Sequence, residues 1–147
     1  MNSLIRSAGI IVLFNVMLVF AILAMHEAGH YFMGVYAGCE GVKAVLLDSG
    51  GEGPYTELSC FEGAKTYLPY AGSLIFTVGF GLLFLFFGNA PERNLFLVVL
   101  GLSILTAGMD VVMLTSINAL YYVSIFVGVF LIAVGEIVFG ISLAATA

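Results

Sequence analysis

The chain has 147 residues, of which 62% are hydrophobic and 9% charged, and a formal net charge of −5. Soluble domains carry about 25% charged residues, so a soluble globular protein is excluded and one integral membrane domain, residues 1–147, is expected. The acids cluster in one loop and no basic patch suggests nucleic acid.

The first predicted span covers about 4–34. Its apolar run is too long for a signal peptide and no clean A-x-A site follows, so the segment is expected to stay as a membrane helix. Asn15 interrupts it roughly 16 Å before the next polar group and reads as a packing residue. Near its end stands His26-Glu27-Ala28-Gly29-His30, an H-E-x-x-H motif that holds both histidines of the protein. Positions i and i+4 share a helix face, so the two imidazoles point the same way. Such a pair can hold one Zn²⁺, and Glu27 can reach a water there as general base. Ionisable groups in a membrane span are costly and mark functional sites by default.

Residues 37–66 are the long polar segment, and they read as a β-hairpin. Strand-like residues 42–47 and 55–61 flank the turn chemistry of 48–54. An irregular acidic loop is the competing reading. Cys39 and Cys60 lie at nearly equal distances from the turn. They can form a disulfide in an oxidising compartment; two free thiols are the default expectation.

Three further spans follow, at about 67–87, 95–114 and 121–143. Ala71, Gly72, Ser73, Gly79 and Gly81 would let a neighbour approach the second, and Gly128 and Gly135 lie a heptad apart in the fourth. Residues 88–94 form the turn before the third span. The fold class is an all-α polytopic membrane protein, four transmembrane helices with a hairpin-like loop between the first two.

Chain direction places Asp110 with the histidines. The motif lies one to two turns before the end of span one. Asp110 lies about one turn before the end of span three, which returns to the same face of the membrane. A His26, His30, Asp110 set would hold a metal and leave a fourth position for water. The bland alternative for Asp110 is a helix-end carboxylate wetted by headgroups. Glu136, on the order of 22 Å along span four, should lie far from that set.

These residues resemble the site-2 proteases, the intramembrane zinc metalloproteases, as a minimal and divergent member. The resemblance rests on His26-Glu27-Ala28-Gly29-His30, on an aspartate in a later helix and on the hairpin at 42–61. It implies Glu27 as catalytic base and His26, His30 and Asp110 as zinc ligands. It also implies a transmembrane protein substrate paired with the hairpin, and a hairpin face turned toward the cytoplasm. The chain departs from the family's Gly-Pro and asparagine with Ala71-Gly72-Ser73-Leu74-Ile75-Phe76. Ala107-Gly108-Met109-Asp110-Val111-Val112 likewise replaces the family's Leu-Asp-Gly context. Lys43 and Lys65 on the hairpin side balance Arg6 and Arg93 on the other, so charge leaves orientation open.

The expected function is therefore that of a zinc endopeptidase cleaving transmembrane segments within the bilayer, as a multi-pass protein of the plasma membrane. The alternative is a non-catalytic accessory subunit that keeps the fold and contacts partners in a membrane complex. A haem site fails, because two histidines on one helix face cannot take opposite axial positions. A di-iron site would need more ligands than the four spans offer.

Overall fold

The computed structural model describes residues 2–45, 55–60 and 67–146. Helix α1 runs Asn2–Tyr36, and strands β1 (Glu40–Val45) and β2 (Tyr55–Ser59) follow. Then come α2 (Tyr67–Phe87), α3 (Ala90–Thr106), α4 (Gly108–Thr115) and α5 (Ala119–Thr146). In lipid every backbone N–H must be satisfied within its own segment, so an apolar chain of this composition folds as helices. Three helical stretches are long and apolar enough to cross a membrane: Ile11–Tyr36, Tyr67–Phe87 and Ala119–Leu143. At 1.5 Å per residue the 26 residues of the first reach about 39 Å, beyond the ~30 Å hydrocarbon thickness.

The predicted third span is not one helix. It is a pair, Glu92–Thr106 and Gly108–Thr115, bent by 50°, and only together do the two pieces reach spanning length. The break falls at Ala107, whose side chain is buried. A Cβ on Gly108 would sit 3.3 Å from Ser124 Cβ and 3.4 Å from the Tyr121 ring, so the bend lays α4 closely on α5. The helix also starts earlier than expected, at Ala90 rather than in the mid-nineties. Pro91 in the first turn has no N–H to leave unpaired, and the Glu92 carboxylate accepts from the Asn89 N–H at 2.7 Å.

Helix α1 packs on α2, α2 on α3, and α3 on α5. Leu18 and Ile22 of α1 meet Val98 and Val99 of α3 in the buried core, flanked by Phe80, Phe84, Leu102 and Ile132. Val12, Phe20, Phe126 and Phe130 face outward, as lipid-facing residues of a membrane protein do. Close backbone approaches set the α1–α2 and α3–α5 pairs. A Cβ on Gly29 would fall 2.5 Å from Gly72 O, and one on Gly128 would fall 2.8 Å from Gly101 O. Gly79 has open space around it, so it plays no such part.

The hairpin is antiparallel, pairing Lys43 with Glu57, Ala44 with Thr56 and Val45 with Tyr55. The register shifts between Glu40 and Lys43, at Gly41, whose φ is +65°. This extra residue brings Cys39 and Cys60 together just outside the Glu40–Ser59 pair, and they form a disulfide with Cα atoms 4.2 Å apart. The default expectation of free thiols is thus corrected. The predicted turn at 48–54 lies outside the described residues, as do Lys65 and 61–64.

Candidate metal centre

The site is assembled where the last turns of α1, the start of α2, the first turn of α4 and strand β2 meet. His26 and His30 lie one helical turn apart and meet edge to face, ring centroids 4.8 Å from each other and nearly perpendicular. Their Nε2 atoms face each other at 3.2 Å. Asp110 Oδ2 lies 3.4 Å from each of them. All three residues are buried. The bend after α3 is what delivers Asp110: it turns the chain so that the first turn of α4, with its carboxylate, faces α1 and α2. A helix N-terminus favours negative charge there.

The donor set fits a metal ion. Ligands at about 2.0–2.1 Å around a tetrahedral ion stand roughly 3.3–3.4 Å apart, which matches the spacing of the two Nε2 atoms and Oδ2. The three atoms converge in a buried place, where either an Nε2–H proton or a cation can lie between them. Glu27 and Asp110 are two buried carboxylates, and among the described residues no lysine or arginine pairs with either. A divalent cation would balance both. His26, His30 and Asp110 therefore form a buried group able to hold a metal.

Glu27 follows His26 on α1 and leaves the helix about 100° around from it. Its Oε2 accepts a hydrogen bond of 2.6 Å from Thr56 Oγ1 on β2, and the same hydroxyl lies 3.3 Å from Glu27 O. Glu27, His30 and Asp110 open onto a cavity of about 320 Å³ walled by Tyr55, Thr56, Leu58 and Tyr70. Tyr70 also meets His30 edge to face, with ring centroids 6.0 Å apart.

Asp110 is held in turn. Ser73 Oγ, fully buried on α2, lies 2.5 Å from Asp110 Oδ2 and 2.8 Å from Tyr70 O. The close approach of Gly29 to Gly72 brings it into range, because a Cβ on Gly29 would also strike Ser73 Cα.

All four site residues expected from the sequence come together. Asn15 does not join them; it lies in a groove among Val12, Val16, Val19 and Phe20. Glu136 is absent from the metal-ligand group, and its helix packs on α3 and α4 rather than on α1 or α2. Thr56, Ser73 and Tyr70 were not foreseen as site residues. For Thr56 the available signal was its place on a strand expected to lie near the site. No family model matches this chain, and comparison with curated proteins and with solved structures likewise gives no match.

Proposed function

We propose that this chain is an intramembrane zinc endopeptidase that cleaves transmembrane segments of other membrane proteins. One observation carries the reading: His26, His30 and Asp110 offer three buried ligand atoms at metal spacing, with the Glu27 carboxylate on the same cavity. Bound Zn²⁺ would supply a Lewis acid for the scissile carbonyl and ease deprotonation of water near neutral pH. Glu27 would take the proton of the attacking water and return it to the leaving amine nitrogen. His26, His30 and Asp110 would fix the place of attack, and Ser73 would hold the Asp110 carboxylate in its orientation. A transmembrane helix hides its peptide bonds, so the substrate must unwind; an edge of the hairpin can hold it extended by strand addition.

The reading places the protein in the plasma membrane. The Cys39–Cys60 disulfide supports a hairpin on the oxidising side, opposite to the orientation the resemblance implies. In intact cells, a membrane-impermeant maleimide should label both cysteines once an impermeant phosphine has reduced them. Labelling that appears only after lysis reverses the orientation.

The decisive comparison is zinc content and cleavage of a reporter transmembrane helix by wild type and Glu27→Gln in liposomes. The variant should keep zinc and lose roughly 10²–10⁴-fold in rate, the contribution of a general base. Equal cleavage by the two, or a zinc-replete wild type that holds no metal, removes the peptidase reading. An accessory-subunit role is favoured by one feature, the half-buried Glu136 on α5, which has no polar partner among the described residues. A wild type that binds zinc, cleaves nothing and co-purifies with a membrane partner through Glu136 would put that role in its place.

A further inference from the structure

We infer that the Cys39–Cys60 disulfide and the Thr56 hydroxyl form a clamp that positions Glu27, making Thr56 a positioning residue for the proposed base. The inference rests on the peptidase reading for its kinetic consequence, but the clamp itself is a matter of geometry.

The hairpin folds back along the helix that bears the motif. Chain leaves α1 at Tyr36, turns at Gly38, whose φ is +80°, and reaches Cys39. Glu27 lies nine residues before Tyr36, the last residue of α1, on the order of 13–14 Å along the helix axis. Thr56 lies four residues before Cys60, on the order of 13 Å along a strand. The two paths run side by side from the disulfide, and their far points meet in the 2.6 Å bond from Thr56 Oγ1 to Glu27 Oε2. Between them Leu58 closes on Gly34, where an added Cβ would fall 2.6 Å from Leu58 Cδ2. The strap is thus anchored at its base by a covalent bond, at its middle by a side chain laid against a glycine, and at its tip by the carboxylate.

The covalent anchor matters because the rest is slight. A two-stranded hairpin is marginal on its own, and this one has strands of six and five residues with a register shift near its base. The bond from Cys39 to Cys60 closes a loop of sequence separation 21 and restricts how far β2 can drift from α1. Without it, the hydroxyl that fixes the Glu27 rotamer would be present only part of the time. The three ligand residues sit on α1 and α4 rather than on the hairpin, so zinc content should change little.

The test separates positioning from mere packing. Thr56→Val keeps shape and strand propensity but removes the donor; Thr56→Ser keeps the donor. Thr56→Val should lower kcat by about tenfold to a hundredfold, the range for losing a hydrogen bond to a charged group, with KM and zinc content near wild type. Thr56→Ser should restore most of it. The disulfide arm uses a phosphine: the Sγ–Sγ bond takes up two electrons and two protons to give two thiols, and the phosphine becomes its oxide with oxygen from water. Reduction of the full chain should speed amide hydrogen exchange of residues 55–59 and reproduce the kcat loss, while adding nothing further to Thr56→Val. The double variant Cys39→Ser/Cys60→Ser should match the reduced wild type with no reductant present. A Thr56→Val kcat within twofold of wild type overturns the clamp, as does exchange at 55–59 that ignores the disulfide. Should wild type cleave nothing, the peptidase reading fails and the exchange measurement still decides the clamp.

Discussion

Two helix interfaces in this molecule use the same device for different ends. The α1–α2 pair and the α3–α5 pair each come close at facing glycines, Gly29 with Gly72 and Gly101 with Gly128. Small residues let backbones approach in lipid, where packing rather than water drives association. At α3–α5 the approach brings little chemistry. Val98 and Leu97 press against Gly135, and a 2.6 Å bond from Asn94 Nδ2 to Ser142 Oγ pins one end. At α1–α2 the approach sets Ser73 against Asp110 and the imidazoles beside both. A displacement at one interface should loosen a helix pair, whereas the same displacement at the other should dismantle the group able to hold a metal.

The largest effect comes from removing a ligand. Asp110→Ala or His26→Ala leaves two donors, and zinc content of the purified protein should fall to background, with cleavage lost entirely. The readout is metal analysis after dialysis at micromolar free zinc. Full zinc occupancy in both variants would remove the three-residue site and with it the contrast between the interfaces.

Next is a matched pair of glycine substitutions. In Gly29→Ala the new methyl meets Gly72 O at 2.5 Å and Ser73 Cα at 2.7 Å, both backbone atoms that cannot rotate aside. The helices must part, and Ser73 and the histidines part with them. In Gly128→Ala the methyl meets Gly101 O at 2.8 Å and Leu105 Cβ at 3.0 Å. Overpacking of this kind costs about 1–3 kcal/mol. Both variants should lower the thermal midpoint, but only Gly29→Ala should weaken zinc binding more than tenfold in the folded fraction. If Gly128→Ala weakens zinc as much, the two interfaces are mechanically one.

A smaller effect is expected at Ser73. Ser73→Ala removes the hydroxyl that holds Asp110 Oδ2 and keeps the fully buried backbone in place. Loss of such a supporting hydrogen bond costs roughly 10–100-fold in metal affinity. A competition titration with a chelator measures it. An unchanged affinity would mean that Asp110 is oriented by the α3–α4 bend alone.

The residues of the site also show where sequence reasoning stops. The histidines were legible because helix periodicity fixes their relation with no knowledge of the fold. Asp110 was legible from chain direction alone, since a carboxylate near the end of an odd-numbered span returns to the motif's side. The hairpin was legible from strand-like runs around a glycine-rich turn. Ser73 was not, because a hydroxyl in a membrane helix can satisfy itself locally. Thr77, Ser103, Thr106 and Ser124 do so, donating to carbonyls three or four residues back. Only tertiary contact marks Ser73 as different. The break at Ala107 was hidden for a similar reason: it depends on how Gly108 packs against Tyr121 and Ser124, and the local sequence remains apolar and helical. The disulfide depended on the extra residue at Gly41, which a count of residues from the turn does not reveal.

The smallest effect is expected at Glu136, and it tests the comparison from the far side. Glu136 follows Gly135, whose missing Cβ would meet Val98 N at 2.8 Å, so this stretch of α5 faces the middle of α3. Asp110 lies twelve residues beyond Val98, on the order of 18 Å along the helical path, which the 50° bend shortens somewhat. No contact of α5 with α1 or α2 is seen among the described residues. The most direct route from α5 to the site is through α4, where Tyr121 and Ser124 touch Gly108. Glu136→Gln keeps size and polarity while removing the charge. It should leave zinc content unchanged and cleavage within twofold of wild type. If it lowers zinc occupancy, the α3–α5 interface carries strain into the site through α4, and the division between a packing interface and a chemical one fails. If it leaves zinc untouched but abolishes co-purification with a membrane partner, the charge serves assembly, and the site is insulated from it by the bend at Ala107.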